Sequence, residues 1–210
     1  MFSVAEAFAV TQQHLLTLPT EAISLNDSLG RVLREPVYAD RDFPPFNRVS
    51  MDGIGIAYAA YASGQRTFTI IGQQFAGQPQ QTLADSTACL EVMTGAMLPA
   101  GIDTIVRYED ITVANGQATI TIDDVVLGQH VHAQAIDRQA GDELLPTGTR
   151  LSPSAIAVAA SVGQSTIVVS ALPRVALIST GDELVDVGDT PLPHQIRRSN
   201  TYMLRAALMS

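Results

Sequence analysis

Hydrophobic side chains recur at helical spacing near the start of the chain. The pattern over residues 4–18 predicts an amphipathic helix whose apolar face carries Val4, Ala7, Phe8, Leu15 and Leu18. Ser3 and Glu6 have the spacing of a capping box, and Pro19 ends the helical pattern. A second, shorter helix is predicted over residues 25–33, before the chain turns into a strand.

Short β-prone runs separated by turn residues occupy the middle of the chain. Strands are predicted over residues 67–71, 87–93, 104–108, 111–113 and 119–122. Asn115-Gly116 between the last two runs is a strong signal for a two-residue hairpin turn. The change from helical to β periodicity predicts a mainly β module, inserted as a domain over residues 54–135.

Proline and glycine set the shape of the segments on both sides of this module. Pro44-Pro45 excludes a helix from residues 40–53 and predicts a loop of fixed shape. Farther along, Ser152-Pro153 opens a helix that Gly163 closes, and residues 165–170 read as a short strand.

The apolar run over residues 174–184 predicts a buried strand that ends in small and acidic residues, the usual opening of a parallel α/β domain. Only one more helix follows, and one strand and one helix do not bury a parallel sheet, so we expect a truncated domain. The predicted class is α+β, mainly β. The predicted domains are residues 1–53 with 136–172, the inserted residues 54–135, and residues 173–210.

Composition narrows the classes of function. The net charge is −9, and all twelve residues of the Lys and Arg class are arginine. Lysine-based chemistry is therefore excluded from this chain, and an acidic surface argues against nucleic-acid binding. The chain has no apolar run of membrane-spanning length, its first residues lack the basic region of a secretory signal, and it has a single cysteine, Cys89. We therefore expect a cytoplasmic protein.

Three segments stand out from this background: "PPFNRVSMDGIGI" at 44–56, "EVMTGAMLPAGIDTIV" at 91–106 and "ALISTGDEL" at 176–184. Together, in this order and spacing, they resemble molybdopterin molybdenumtransferases of the MoeA family, which includes the E domain of gephyrin-like proteins. "FAGQP" at 75–79 adds to the match. The resemblance implies the bifurcated and coiled sheets of the MoeA N-terminal region, followed by the start of the molybdopterin-binding domain.

Candidate site residues lie at the end of the predicted strand and in the two other motifs. Ser179, Thr180, Gly181 and Glu183 offer hydroxyls, a close backbone approach and a carboxylate, although the same residues also suit a solvent-facing strand end. By resemblance Glu183 is an active-site residue, and the three residues before Asp182 bind the cofactor.

Asp52 precedes a glycine on the stiff loop, which suits either a plain turn or a presented carboxylate. The resemblance implies that Asp52 and Thr94 are catalytic cleft residues, with Thr94 serving the binding domain of a dimer partner. Asp137 matches a cofactor-binding aspartate, but the basic stretch that usually precedes it is replaced by "VHAQAID". Asn200, beside Arg197 and Arg198, matches a loop of the binding domain.

The resemblance implies an enzyme of molybdenum cofactor biosynthesis. Its substrates would be adenylylated molybdopterin and molybdate, and Asp52 and Glu183 would hold Mg²⁺ against phosphate oxygens. The implied partners are a second copy of the chain and the molybdopterin-adenylating protein, with neither nucleic acid nor a membrane. The alternative is a non-catalytic dimerisation or scaffold module. A competence-type protein is disfavoured because it lacks the β module, and a zinc site at His130 and His132 would need further ligands.

Overall fold

The computed structural model describes residues 3–209, which form two compact units. One unit consists of residues 21–169, and the other combines residues 3–20 with residues 170–209. The division of the chain into three predicted domains is a different partition and stays a prediction.

The described residues contain four α-helices and fourteen mostly short strands. The helices are α1 (Val4–Gln13), α2 (Tyr58–Ala62), α3 (Pro153–Ser161) and α4 (Ser199–Met209). The strands are β1 (Thr20–Ser24), β2 (Val37–Tyr38), β3 (Arg48–Val49), β4 (Gly53–Ile56), β5 (Thr67–Gln74), β6 (Ala88–Val92), β7 (Thr104–Arg107), β8 (Ile111–Ala114), β9 (Gln117–Ile120), β10 (Val131–His132), β11 (Glu143–Leu145), β12 (Thr166–Ser170), β13 (Leu184–Val185) and β14 (Ile196–Arg197). The predicted α+β class with a mainly β character is confirmed.

A six-stranded mixed sheet forms the centre of the larger unit. Its strand order is β7-β4-β6-β5-β9-β8, and β5 and β6 are its parallel pair. The hairpin β8–β9 turns at Asn115 and Gly116, whose φ angles of 49° and 74° are those of a type I′ turn. The predicted hairpin and the five predicted strands are confirmed, within one to three residues at their ends.

A hydrophobic cluster covers each face of this sheet. Adjacent residues of a central strand point to opposite faces, so they belong to different clusters. Leu90 and Val92 pack on one face, together with Val49 and the segment that follows β6. Cys89 packs on the other face with Ile54, in the cluster that also contains Phe68. The sheet is therefore a two-sided core that fixes the residues at the ends of its strands.

A third cluster lies around α3 and the pairs β2–β11 and β1–β12. Ser152 caps α3 by accepting a hydrogen bond from Ala155 N, and Pro153 occupies the first turn, as predicted. The predicted helix over residues 25–33 is wrong, because only a 3-10 turn, Leu25–Asp27, forms. Leu33 is instead fully buried in the cluster, and its N–H donates to Thr149 O, so nonlocal pairing replaces the local helix.

The smaller unit contains α1, the two-residue parallel pair β13–β14, and α4. Ser3 and Glu6 form the predicted capping box, but α1 ends at Gln13 instead of Leu18. The predicted strand over residues 174–184 is also wrong, because residues 171–183 join no ladder among the described residues. A strand needs neighbouring backbone to pair with, and apolar sequence alone does not supply it. Within residues 3–209, no helix combines the length and the apolar character needed to cross a bilayer.

Candidate functional site

Asp52 and Thr94 meet at one end of the six-stranded sheet. Asp52 directly precedes β4 and Thr94 follows β6, and these neighbouring strands pair Gly53 with Val92. The antiparallel ladder therefore brings the two residues together across 42 positions of sequence. Asp52 Oδ1 accepts hydrogen bonds from Thr94 N and Thr94 Oγ1, both at 2.7 Å.

These two bonds stabilise the ionised form of the Asp52 carboxyl. The backbone N–H of Thr94, followed by its hydroxyl, lowers the pKa of Asp52 from its ordinary value, so this exposed carboxylate is ionised at neutral pH. Asp52 Oδ2 accepts no hydrogen bond from residues 3–209. One oxygen is thus held by Thr94, while the other has no hydrogen-bond partner among the described residues.

The loop that carries Asp52 is held on both sides by other segments. On one side, Val49 N donates to Ala96 O and Gly95 N donates to Val49 O, each at 2.9 Å. On the other side, Ser50 N and Ser50 Oγ both donate to His130 O, at 3.0 and 2.9 Å. The loop predicted from its prolines is therefore stiffened by strand pairing, since β3 lies within it.

Tyr108 lies beside Asp52 and was not among the predicted site residues. Tyr108 N donates to Asp52 O at 3.2 Å, and the Tyr108 hydroxyl donates to Glu91 Oε1 at 3.2 Å. Burial, followed by the charge of Glu91, raises the pKa of Tyr108 to about 12. The phenol therefore stays protonated at neutral pH and acts there as a hydrogen-bond donor.

Asp137 lies on an exposed segment after β10, beside His132, which in turn contacts Arg48. His132 Nε2 is 3.9 Å from Asp137 Oδ1, and Arg48 Nη2 is 3.1 Å from His132 Nδ1. The basic stretch expected immediately before Asp137 is absent, and the Arg48 guanidinium on β3 contacts His132, the neighbour of Asp137. The polar–apolar–polar order of Arg48, Val49 and Ser50 is the sequence signal that places Arg48 and Ser50 on one face of a short strand.

Within the smaller unit, three predicted cofactor-binding residues line a single cavity of about 330 Å³. Ser179 and Thr180 lie on one side of it and Asn200 lies at the start of α4. Ser179 Oγ and Thr201 Oγ1 are hydrogen bonded to each other, so this bond links two residues of the cavity lining, Ser179 and Thr201 of α4. Arg197 and Arg198 also line the cavity. The Arg197 side chain donates a hydrogen bond to Asp189 O, and the Arg198 side chain donates one to Asp186 Oδ1.

Gly181 and Glu183 form the turn next to this cavity. Gly181 has a φ of 138°, and Gly181 O accepts a hydrogen bond from Leu184 N. A Cβ at Gly181 would lie 2.7 Å from both carboxylate oxygens of Glu183. The backbone angle therefore favours glycine here, whereas the flexible Glu183 side chain can move away from an added Cβ.

The predicted metal pair divides between the two units, because Asp52 belongs to residues 21–169 and Glu183 to residues 170–209. Among residues 3–209, no three side chains of the His, Cys, Asp and Glu types converge on a metal position. A carboxylate with one free oxygen, such as Asp52, is nevertheless the donor type that Mg²⁺ prefers. The pairing of Asp52 with Glu183 stays a prediction.

Comparison with known proteins assigns this arrangement to a family. Residues 2–163 match the model of the MoeA N-terminal region, domains I and II. The chain belongs to the MoeA family. It is 41% identical over its whole length to a molybdopterin molybdenumtransferase of Synechocystis sp., and 32% identical over 97% of its length to one of Staphylococcus epidermidis.

Solved structures of the MoeA family have the same fold as this chain. A molybdopterin biosynthesis MoeA protein of Pyrococcus horikoshii superposes with a TM-score of 0.82 at 29% identity, over 98% of this chain and 53% of that one. The chain also covers 54% and 49% of the two curated relatives, so it spans about half the length of the proteins it matches. Molybdenum cofactor biosynthesis is thus the setting of its family.

Proposed function

We propose that this chain supplies the N-terminal half of a molybdopterin molybdenumtransferase, which inserts molybdenum into adenylylated molybdopterin. The chain continued by the second half that its relatives carry is called the full-length protein below. The observation that carries the proposal is the Asp52 carboxylate, fixed through one oxygen by Thr94 and open through the other. The name shared by the curated relatives supports it.

The residues of this chain divide the work by their chemistry. The ionised Asp52 carboxylate presents Oδ2, and Thr94 prevents it from rotating. Ser179, Thr180 and Asn200 offer polar groups to molybdopterin at the cavity of the smaller unit. Asp52 and Glu183 are the ligands proposed for a divalent cation, Mg²⁺, which when bound neutralises charge on phosphate oxygens.

The proposal extends to the surroundings of the enzyme. Two copies of the full-length protein form a dimer in which Thr94 serves the binding domain of the partner. The molybdopterin-adenylating protein supplies its substrate, in the cytoplasm. With half of the relatives' length missing, the 210-residue chain alone is expected to be inactive.

The test replaces Asp52 by Asn in the full-length protein and measures molybdenum insertion from molybdate. We expect a loss of about a hundredfold or more, as for other groups that stabilise developing charge. Asp85 is the matched control, because its Oδ1 also accepts hydrogen bonds from the N–H and hydroxyl of one threonine, Thr87, at 2.8 and 2.7 Å. Asp85→Asn should keep the wild-type rate.

Thermal unfolding and light scattering of the same variants separate chemistry from folding. If Asp52→Asn melts lower than Asp85→Asn but inserts molybdenum at the normal rate, the carboxylate is structural. The catalytic role proposed for Asp52 would then be wrong, whereas a wild-type full-length protein that inserts no molybdenum would favour the scaffold alternative.

The electrostatic part is tested by carbon-13 NMR titration of the Asp52 carboxyl, with Thr94→Val as the variant. Because the folded-state pKa is lowered, the two bonds contribute stability above the unfolded-state pKa, and this is lost as the pH falls through the folded-state value. Thr94→Val removes the hydroxyl and keeps the N–H, so the pKa should rise partway. An unchanged pKa in Thr94→Val would remove the hydroxyl from the argument.

A further inference from the structure

Arg48 and His132 face each other across the short antiparallel pair β3–β10. The register of this pair places Arg48 opposite His132 and Val49 opposite Val131. Val49 is fully buried and Arg48 is half-buried, so the buried side chain anchors the strand while Arg48 turns toward the histidine. The side chains meet at 3.1 Å, between Arg48 Nη2 and His132 Nδ1.

This contact fixes which imidazole nitrogen carries the proton. A guanidinium has only N–H donors, so His132 Nδ1 must accept, and in the neutral ring the proton resides on Nε2. His132 Nε2 is the atom 3.9 Å from Asp137 Oδ1. This distance is longer than a direct hydrogen bond, so the N–H acts on the carboxylate through its dipole.

The backbone of Asp137 is fixed, whereas its carboxylate has few partners. Asp137 N donates to Phe43 O at 2.9 Å. Asp42 holds the surrounding segment by accepting hydrogen bonds from Gln134 Nε2 at 2.7 Å and Ala140 N at 3.0 Å. Among residues 3–209, the Asp137 carboxylate accepts no hydrogen bond, and its side chain is 61% exposed. His132 is therefore the group that biases the orientation of this carboxylate.

We propose that His132 is a positioning residue for Asp137, with Arg48 holding the imidazole in the Nε2–H form. Arg48, His132 and Asp137 thus form a relay from the loop that carries Asp52 to the predicted cofactor-binding aspartate. The importance of this relay for catalysis rests on the proposed function. The orientation of Asp137 does not, and it is measured separately.

The orientation is tested by NMR on the full-length protein, using nitrogen-15 histidine and carbon-13 aspartate. We expect the His132 signals of the Nε2–H form in the wild type and a mixture of both neutral forms in Arg48→Met. His132→Phe, which keeps a ring and removes both nitrogens, should shift the Asp137 carboxyl resonance. The matched control is His14→Phe, because His14 is an exposed histidine on the C-terminal side of α1. It should leave that resonance in place.

The catalytic consequence is tested by molybdenum insertion. His132→Phe should lower kcat by about tenfold or more, as losing the outer partner of a functional group commonly does, with a smaller change in KM. His132→Gln should recover most of the rate, because its amide both accepts from Arg48 and donates toward Asp137. In an Asp137→Asn background, His132→Phe should have no additional effect.

Three results would overturn the proposal. The first is an Nδ1–H form of His132, and the second is an Asp137 resonance that does not shift in His132→Phe. The third is an equal loss of rate in His132→Phe with and without the Asp137 carboxylate. If no variant or wild-type protein inserts molybdenum, the proposed function fails, and the NMR results alone decide whether His132 positions Asp137.

Discussion

The two units of this chain differ in what they bury. Every side chain buried in the described residues lies between residues 28 and 169, and the unit of residues 3–20 and 170–209 contributes none. Two phenylalanines show the contrast, since Phe68 is 0% exposed in the six-stranded sheet and Phe8 is 64% exposed on α1. Both segments are apolar in sequence, so an apolar pattern indicates what a segment can bury and not whether a partner is present.

The difference follows from pairing. In the larger unit, each central strand finds a neighbour, and the alternating side chains then fill both faces of the sheet. In the smaller unit, Ile178 belongs to the apolar run of residues 174–184 but is 84% exposed. The relatives are about twice as long as this chain, and such a run is of the kind that a larger parallel sheet buries.

The largest expected effect contrasts the two phenylalanines. Phe68→Ala should lower the free energy of unfolding by about 3–5 kcal/mol, because it removes a fully buried ring and leaves a cavity. Phe8→Ala should change it by less than about 0.5 kcal/mol, as for other exposed positions. Urea unfolding followed by circular dichroism measures both. Similar losses in the two variants would show that α1 packs against a surface in solution.

A second pair of variants concerns glycine. A Cβ at Gly53 would lie 2.0 Å from Val106 O and 2.8 Å from the Cα of Arg107, so alanine there must push β4 away from β7. We expect Gly53→Ala to cost about 3 kcal/mol or more, the upper end for overpacking, because backbone cannot move aside as a side chain does. The same urea experiment measures this loss.

Gly188 is the matched control for Gly53. An added Cβ at Gly188 meets nothing within 4 Å, so Gly188→Ala should be neutral within about 0.5 kcal/mol. A mild Gly53→Ala variant would mean that the end of the sheet beside Asp52 is more adaptable than its close backbone contact implies.

The smallest expected effect concerns two capped helices. Ser152→Ala removes the cap of α3, which buries Ala155 and Ala159, and should cost about 1 kcal/mol of global stability. Ser3→Ala removes the capping box of α1, which buries no residue, so the loss should stay local. Hydrogen exchange of the two helices distinguishes the cases. A global loss in Ser3→Ala would show that α1 contributes to the stability of the whole fold.

Local signals predicted the parts of the fold that local physics determines. The hairpin at Asn115-Gly116 and the cap at Ser152 depend on residues a few positions apart, and both were found as predicted. The helix expected over residues 25–33 failed because the Leu33 backbone pairs with Thr149, more than a hundred residues away. A local sequence pattern does not show this distant pairing, so it does not reveal that the pairing replaces the helix.

The candidate site shows the same limit. Resemblance indicated Asp52 and Thr94, and the ladder of β4 with β6 explains why they meet. It did not indicate His132, because the contact between His132 and Arg48 spans 84 positions and depends on the register of two short strands. The sequence thus predicted which residues carry chemistry better than it predicted which residues orient them.

The long-range hydrogen bonds that hold Asp52 and its loop also affect the order of folding. The bond from Ser50 Oγ to His130 O spans 80 positions, and the bond from Thr94 to Asp52 spans 42. Contacts between such distant segments require long loops to close, and the closure entropy is lost before the contacts form. The ionised, immobilised Asp52 should therefore be among the last features to appear as the chain folds. A nascent or partly folded chain then contains Asp52, but its carboxylate is not yet held in the orientation that the proposed function requires.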